Sequence, residues 1–555
     1  MDIVIMIAGK CRWLAGAGFI FLLFFFNSCG DRHADETRRN VFRYNEAANI
    51  STLDPAFARD QSIIWPVNQI FNGLVQLDEE LRIKSCIAKS WEISSDGQEY
   101  RFHLRKDVLF HPDRVFHDKA ERQVRASDFV FSFSRIADPA TASSGSWIFD
   151  CVARQNGKPL FSAMDDSTFV IRLSKPFPPF LSMLAMPYAS VVPQKAILSY
   201  GRYFRSHPVG TGPFIFKYWK EGVKLVLLKN PDYFESENGS SLPFLDGVSI
   251  SFLSDKQSAF LEFVKGRLDF ISGLDPSYKD ELLTRQGKLQ PKYSSTVELL
   301  TQPYLNTEYL GFLMDQETAG GKPNPLYDKK VRQAINLAFD RNKMITYLRN
   351  NIGSPGIYGI IPKGLPSFDS TRVYYSYDIE KARRLLAGAG FPGGKGMPAV
   401  TLVSTPDYLD FCKHIQQQLT ELGVEMKIEI STPAAIRQMK AEARLPFFRA
   451  SWIADYPDAE NYLLMFLGRN FCPRGPNYTH FTSQEFDALY DLAMHQTNDS
   501  LRYSIYHKME SLVMEESPLV VLYYDQVLRF VRKGVSGLGS NPMNMLSLKR
   551  VKISH

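Results

Sequence analysis

Cysteine is scarce in this chain, and the motifs of the common enzyme classes are missing from it. The 555 residues include 6 cysteines, and none falls in a CxxC pair or another metal-ligand spacing. The sequence has no HExxH and no GxSxG, and the glycine-rich segment 390–396 lacks the Ser or Thr that a phosphate-binding loop needs after its lysine. We therefore expect no catalytic residues, no metal and no cofactor.

A strong charge of one sign is also absent. Lys and Arg number 65 against 59 Asp and Glu, which leaves a net charge of +6 on a long chain. Nucleic-acid-binding chains concentrate Lys and Arg in patches, and no long basic run occurs here. No segment repeats at a fixed period, which disfavours a solenoid. We expect a globular protein of several domains without a nucleic-acid partner.

An apolar run lies near the N-terminus, at residues 13–26, and it is too short for a comfortable membrane span. Lys10 and Arg12 precede it, and Cys29 follows it after two residues. A basic start, a short apolar run and small residues predict an export signal. The cysteine resembles that of a bacterial lipoprotein signal, although Phe26 and Asn27 depart from its pattern. We predict residues 1–28 as signal peptide and 29–40 as a tether, with lipid on Cys29; an uncleaved anchor or a plain signal peptide is the alternative.

Four cysteines remain besides Cys29 if Cys11 leaves with the signal. Disulfides form in exported proteins, and four cysteines allow three connectivities. We expect one pair in each half of the chain, Cys86–Cys151 and Cys412–Cys472. Free buried thiols are the alternative.

Residues 449–462 begin with ten residues, 449–458, that combine one cation, two aromatics and two acids. The apolar run 447–454 predicts a strand, and Pro457 ends it. Arg449 could hold a carboxylate, and Asp455 could hold an ammonium, so that the segment would bind a small zwitterion. The alternative is a solvated strand end whose Asp caps the next helix.

Strand and helix signals alternate along the second half of the chain. Asp328 precedes an amphipathic helix, Asp378 precedes a helix at 379–387, and strand patterns follow at 400–403 and 424–430. This alternation predicts a mixed α/β fold.

Eight short segments in chain order carry a resemblance to a known family. They lie at residues 51–55, 71–74, 91–105, 126–130, 210–214, 328–335, 378–382 and 452–458, the last reading WIADYPD. With them, the chain from about Val41 to Tyr524 resembles the solute-binding proteins of bacterial peptide ABC importers, the oligopeptide- and dipeptide-binding proteins of solute-binding family 5.

The resemblance implies an α/β fold of the periplasmic-binding-protein type, class II with three subdomains. Two lobes would close on the ligand about a hinge of two crossing strands. Residues 41–80, 208–300 and 518–555 would form the core of the first lobe, 81–207 its extra subdomain, and 301–517 the second lobe.

The resemblance also implies roles for individual residues. Asp455 would bind the α-ammonium of a peptide, Arg449 its carboxylate, and Trp452 would line a side-chain pocket. The peptide backbone would lie as an extra strand between two segments. The predicted ligand-binding residues are completed by Ser451, Ile453, Tyr456, Asn49, Ile50 and Ser51.

The function implied is capture of oligopeptides and their delivery to the permease of an ABC importer. The protein would be a periplasmic monomer, anchored through Cys29, and not an enzyme. Because dipeptide-type members lack the matching arginine, Arg449 favours longer peptides. The alternatives are another solute of the same family (a murein peptide, nickel or haem) or, from another class, a secreted hydrolase.

One segment departs from the family pattern. Residues 106–125 are longer and more basic than usual, and they include His111 and His117. We expect a solvated loop here and not a pair of metal ligands.

Overall fold

The computed structural model describes residues 40–275, 277–315, 318–319 and 322–554. The predicted signal peptide, Cys29 and nearly all of the predicted tether lie outside these residues.

One mixed sheet runs through the molecule. Among the described residues it has eleven strands. They are β1 (Val41–Asn45), β2 (Phe214–Lys220), β3 (Lys224–Lys229), β4 (Gly247–Ser251), β5 (Phe270–Ser272), β6 (Val297–Phe312), β7 (Ser354–Pro355), β8 (Val400–Ser404), β9 (Met426–Ile430), β10 (Phe447–Ile453) and β11 (Leu519–Arg532). Their order is β2-β3-β4-β1-β5-β11-β6-β10-β8-β9, and β7 pairs with β11.

The longer helices, of eight residues or more, are ten within the described ranges. They are α1 (Gln61–Ile70), α2 (Ala126–Ala137), α3 (Lys256–Val264), α4 (Lys329–Leu337), α5 (Arg341–Leu348), α6 (Ile379–Gly388), α7 (Leu409–Leu422), α8 (Pro433–Ala441), α9 (Gln484–Met494) and α10 (Asp499–Glu516). No helix in the described ranges combines the length and the apolar composition needed to cross a membrane.

Two long strands join the two ends of the sheet. β6 and β11 pair antiparallel from Val297 opposite Arg532 to Gly311 opposite Leu519. β5 pairs with the C-terminal half of β11, at one end of this pair of strands. β10 pairs with the C-terminal half of β6, at the other end. The register shifts after Pro303, since proline lacks the N–H that the ladder needs. The predicted two-lobed α/β fold with two crossing strands is confirmed.

Each half of the sheet has its own hydrophobic core. We call lobe I the part built around the core with Phe42, Phe133 and Leu548. We call lobe II the part built around the core with Leu402 and Met509. A second, four-stranded sheet belongs to lobe I; its strands are Ala88–Ile93, Glu99–Leu104, Phe161–Asp165 and Thr168–Arg172. The exact domain limits stay a prediction.

The predicted disulfides are wrong. Cys86, Cys151, Cys412 and Cys472 are all free thiols. Cys86 lies in the core of lobe I and Cys412 in the core of lobe II, each packed by apolar side chains. The sulfur of Cys472 contacts His480 and not Cys412. The four sulfurs therefore occupy separate surroundings, and free thiols, the alternative, describe the chain.

The expectation of a solvated loop is wrong for His111. Its ring is buried: Nε2–H donates to the carbonyl of Gly212 (2.9 Å), and Nδ1 accepts from the N–H of Gly210 (3.4 Å). A Cβ at Gly210 or Gly212 would collide with the backbone at the end of α1, so this segment needs glycine at both positions. Burial lowers the pKa of His111 to about 4, because the protein removes the water that would solvate an imidazolium.

His111 should make the protein sensitive to acid. Its pKa is about 4 in the folded state and about 6.5 in the unfolded chain. The unfolded state thus binds the extra proton first, and stability is lost as the pH falls through this window. We expect a loss of about 3 kcal/mol from this residue. Denaturant unfolding across this pH range should show a shallower decline in His111→Gln than in the wild type; parallel curves would contradict the assignment.

Candidate functional site

The cleft between the lobes lies where strands from both sides end. β1 and β5 of lobe I, and β8 and β10 of lobe II, direct their carboxyl ends toward the middle of β6 and β11. A cavity of about 400 Å³ opens there. Its walls come from lobe I through Asn45, Glu46, Gln61, Trp65, Lys256 and Asp275, and from the hinge and lobe II through Tyr304, Arg349, Tyr408 and Asp525.

Asp455 stands in the turn after β10, with its carboxylate open to solvent. The protein around it still removes enough water to raise its pKa, although the side chain of Asn461 opposes this. Within the described residues, no Arg, Lys or His lies within 4.0 Å of the carboxylate. A partly desolvated carboxylate without a cation is suited to receive one from a ligand.

Asp458 takes the capping role that was the alternative for this segment. Its Oδ1 accepts from the N–H of Glu460 (2.9 Å), and its Oδ2 pairs with Arg502 (3.1 Å). The Tyr506 hydroxyl also donates to it (2.9 Å). The segment therefore contains both predicted features: Asp458 is the structural carboxylate, and Asp455 remains unpaired.

Asn461 holds the segment in shape. It is 1% exposed, and its Oδ1 accepts from the Trp452 indole N–H (3.0 Å) and from the Asp455 backbone N–H (3.1 Å). The Asn461 amide thus orients both Trp452, the predicted pocket wall, and Asp455, the predicted ammonium site. Sequence reasoning missed it, because a lone Asn after a turn gives no signal of this kind.

The outer edge of β10 is free where it reaches the cleft. β10 pairs with β6 along its whole length, but β8 meets it only at Val403 opposite Phe448. On that side, Ser451, Trp452 and Ile453 pair with no other described strand. The Ile453 side chain is 48% exposed. An extended peptide could add to such an edge.

Asn49, Ile50 and Ser51 lie in the loop after β1. Asn49 and Ser51 are exposed, whereas the Ile50 side chain is buried. In the described structure their N–H groups donate to no other backbone group, and the Ser51 carbonyl accepts from Arg205 (2.9 Å). No hydrogen bond between described residues joins them to the end of β10. Their predicted contact with a ligand backbone stays a prediction.

Tyr456 is turned into the protein. Its ring is buried and lies 6.2 Å from the ring of Trp147 in lobe I, and its hydroxyl donates to Glu460. Tyr490 donates to the same carboxylate, whose pKa burial raises to about 7. Tyr456 thus joins the two lobes in this structure, and its predicted ligand contact stays a prediction.

Arg449 already has a partner inside the protein. Its guanidinium pairs with Glu308, which is 2% exposed, and lies 3.3 Å above the centre of the Tyr408 ring. The Tyr408 hydroxyl donates to the same carboxylate (3.2 Å). Sequence reasoning missed this partner, which is 141 residues away. The predicted contact with a ligand carboxylate stays a prediction.

The hydroxyl of Tyr188 in lobe I interacts electrostatically with Asp455 and with two charged residues that the sequence did not signal. Burial raises the pKa of Tyr188, and the negative charges of Asp455 and Asp60 raise it further, whereas Arg59 lowers it. Arg59 and Asp60 are exposed just before α1.

Glu46 is a further cleft residue that sequence reasoning missed. Its Oε1 is buried and has no hydrogen-bond partner within the described residues. Burial raises its pKa to about 8. The nearby Lys256 and Arg349 are paired with Asp275 and Asp525.

No group of three or more His, Cys, Asp or Glu is placed to hold a metal ion in the part of the chain that the structure describes. The cleft side chains therefore offer charge pairing and hydrogen bonding.

Known proteins share this architecture. The haem-binding protein A of Haemophilus influenzae is 29% identical over 509 residues, covering 89% of this chain and 88% of that protein. The di/tripeptide-binding protein 2 of Pseudomonas aeruginosa is 26% identical over 488 residues, covering 84% and 86%. The periplasmic binding protein DppA of Helicobacter pylori, solved with the peptide STSA, superposes with a TM-score of 0.73 at 24% identity, covering 94% of this chain and all of that one.

The sequence profile of one family matches residues 82–471, which is more than half of the chain. Its description is "Bacterial extracellular solute-binding proteins, family 5 Middle". The resemblance found in the sequence is thereby confirmed. The chain belongs to the bacterial extracellular solute-binding proteins of family 5.

Proposed function

We propose that this protein is the substrate-binding component of a peptide ABC importer, which captures oligopeptides in the cleft and delivers them to a membrane permease. The observation that carries the proposal is the unpaired carboxylate of Asp455 beside the free edge of β10. A peptide would supply a partner for each feature. Its α-ammonium would pair with the carboxylate, and its backbone donors and acceptors, next to the ammonium, would pair with the strand edge.

Backbone recognition accounts for a broad choice of peptides. Hydrogen bonds to the edge formed by Ser451, Trp452 and Ile453 would be the same for any side chain. The cavity between the lobes leaves room for water around variable side chains. Closure of the lobes about β6 and β11 would then bury the peptide and present the loaded protein to the permease.

The names of the relatives favour a peptide as the ligand and also indicate the alternative ligands. The Pseudomonas aeruginosa relative is a di/tripeptide-binding protein, and a relative from Escherichia coli, at 25% identity, binds glutathione. Both of these ligands carry an α-ammonium, for which Asp455 is a suitable partner. The Haemophilus influenzae relative binds haem, which has carboxylates and no ammonium. A murein peptide also fits the proposal, as a specialised peptide.

The remaining parts of the proposal concern the location and the ligand length. The protein would act in the periplasm as a monomer without enzymatic activity, anchored by lipid on Cys29. Arg449 would favour peptides of more than two residues if their carboxylate displaces Glu308 from the guanidinium. Mass analysis of the mature N-terminus would test the anchor.

Calorimetry with a matched set of ligands tests the proposal. Tripeptides of varied composition should bind, and haem, which has no ammonium, should bind more weakly or not at all. A protein that binds haem and ignores tripeptides would contradict it. Hydrolysis of the peptides during the titration, visible as new products, would favour the enzyme alternative instead.

A further inference from the structure

A thiol, an imidazole and a carboxylate meet on the outer face of lobe II. Cys472 and His480 lie in the loop before α9, and Asp315 follows the end of β6. The backbone joins them there, since the N–H of Met314 donates to the carbonyl of Thr479 (2.9 Å). This is the end of β10 opposite the cleft, and seven residues of strand, about 20 Å, separate the cluster from Asp455.

The three side chains are aligned in the order that a nucleophilic thiol requires. The Cys472 sulfur lies 3.2 Å from His480 Nε2, and His480 Nδ1 lies 2.5 Å from Asp315 Oδ2. The carboxylate accepts the Nδ1–H, so that Nε2 is the basic nitrogen and faces the thiol. An oriented base next to a thiol is the arrangement that activates cysteine.

His480 is held firmly in this orientation. Its ring stacks on Phe471 with the centres 4.4 Å apart and the planes 1° from parallel. Its backbone has a φ of +52°, in the left-handed region that non-glycine residues seldom occupy. Such backbone strain tends to be kept where a side chain must be placed for a function.

The other described thiols have no such partner. Burial raises the pKa of Cys86 and of Cys151 to about 12, and Cys412 is buried next to Ser404. Burial also raises the pKa of Cys472, so the resting cysteine is a neutral thiol. The Cys472 residue is 6% exposed and the His480 side chain 12%, whereas the Asp315 side chain is 49% exposed, so the cluster reaches the surface at its carboxylate end.

We propose that Cys472 is a nucleophilic thiol and a site of S-thiolation by low-molecular-weight disulfides. His480 takes the proton from the thiol as the sulfur attacks one sulfur of the disulfide. A new S–S bond forms, the disulfide's own S–S bond breaks, and the leaving thiolate takes the proton from His480. The disulfide accepts the two electrons that Cys472 loses, so no other oxidant is needed. Asp315 stabilises the imidazolium. This site is separate from peptide capture.

The test uses the whole protein and glutathione disulfide as the probe. Intact mass followed by peptide mapping should show one added glutathionyl group on Cys472, formed at least about tenfold faster than at the half-buried Cys151. His480→Gln and Asp315→Asn should each slow the reaction by about tenfold or more, as the loss of a general base does. The pH dependence of the wild-type rate should also follow the titration of the imidazole and lose that feature in His480→Gln.

Several outcomes would overturn the proposal. They are no modification of the folded wild type, preferential modification of Cys151, and equal rates in the wild type and His480→Gln. A merely structural role of His480 would lower the unfolding temperature and leave the rate and its pH profile unchanged. Because Asp315 is half exposed, Asp315→Asn should stay folded and keep the test valid if His480→Gln does not fold.

Discussion

Asp455→Asn is expected to weaken peptide binding by about two orders of magnitude or more, because removing one member of a desolvated charge pair costs about 3–5 kcal/mol. The carboxylate has no cation within the described protein, so the peptide ammonium would be its partner. Asparagine keeps the size of the side chain and leaves the Asn461 bond to the backbone in place. Stability should therefore hardly change. Calorimetry with one tripeptide measures the effect.

Two controls make this result specific. Asp166→Asn removes an exposed carboxylate of lobe I, which pairs with Arg125 at the surface (3.2 Å), and should leave the affinity unchanged. N-acetylation of the tripeptide removes the ammonium and should weaken binding to the wild type but add little in Asp455→Asn. Unchanged affinity in Asp455→Asn would refute the assignment.

Arg449→Met is expected to destabilise the folded protein by about 3–5 kcal/mol, because it leaves an uncompensated buried carboxylate. That carboxylate is Glu308, which is 2% exposed and also accepts from Tyr408 and from Asn306. Methionine keeps much of the apolar length of arginine, so the lost charge dominates the change. Chemical denaturation with a tryptophan fluorescence readout measures the difference.

The double variant Arg449→Met with Glu308→Gln is the matched control. Without either charge, most of the lost stability should return. Glu308→Gln alone frees the guanidinium and should strengthen binding of tripeptides with a free carboxylate relative to amidated ones, if Arg449 reaches the ligand. Full stability of Arg449→Met would show that the pair with Glu308 contributes nothing.

Local signals in the sequence predicted many elements well. The strand expected at 447–454 is β10 (Phe447–Ile453), and the helix expected at 379–387 is α6 (Ile379–Gly388). The predicted cap Asp328 accepts from the N–H of Lys330 (2.7 Å). Apolar periodicity, caps and prolines act over a few residues, so they can be read from the chain directly.

Long-range partners could not be predicted in this way. Nothing near Arg449 indicates that Glu308 will be its partner, since the register of β6 against β10 decides this. The failure at His111 has the same cause, because its partners Gly210 and Gly212 lie about a hundred residues away. Sequence alone also assigned the cysteines to pairs, whereas packing separates the sulfurs.

The predicted site residues therefore differ in how free they are to contact a ligand. Asp455 and the edge of β10 have the free charge and the free backbone that ligand capture needs. Tyr456 and Arg449 are occupied by protein partners, so any ligand contact by them requires a rearrangement. Asn461 and Glu46 enter the site only through the structure, the first as a support and the second as an unpartnered carboxyl oxygen in the cavity.

Mass spectrometry of the ligand that leaves the protein on denaturation tests peptide capture most directly. The protein is purified without added ligand, exchanged into volatile buffer and denatured, and the small molecules are sequenced by fragmentation. Asp455→Asn, purified in parallel, serves as the control. We expect a mixture of short peptides with free N-termini from the wild type and much less from the variant. A single non-peptide species, such as haem, released equally from both proteins would contradict the proposed function.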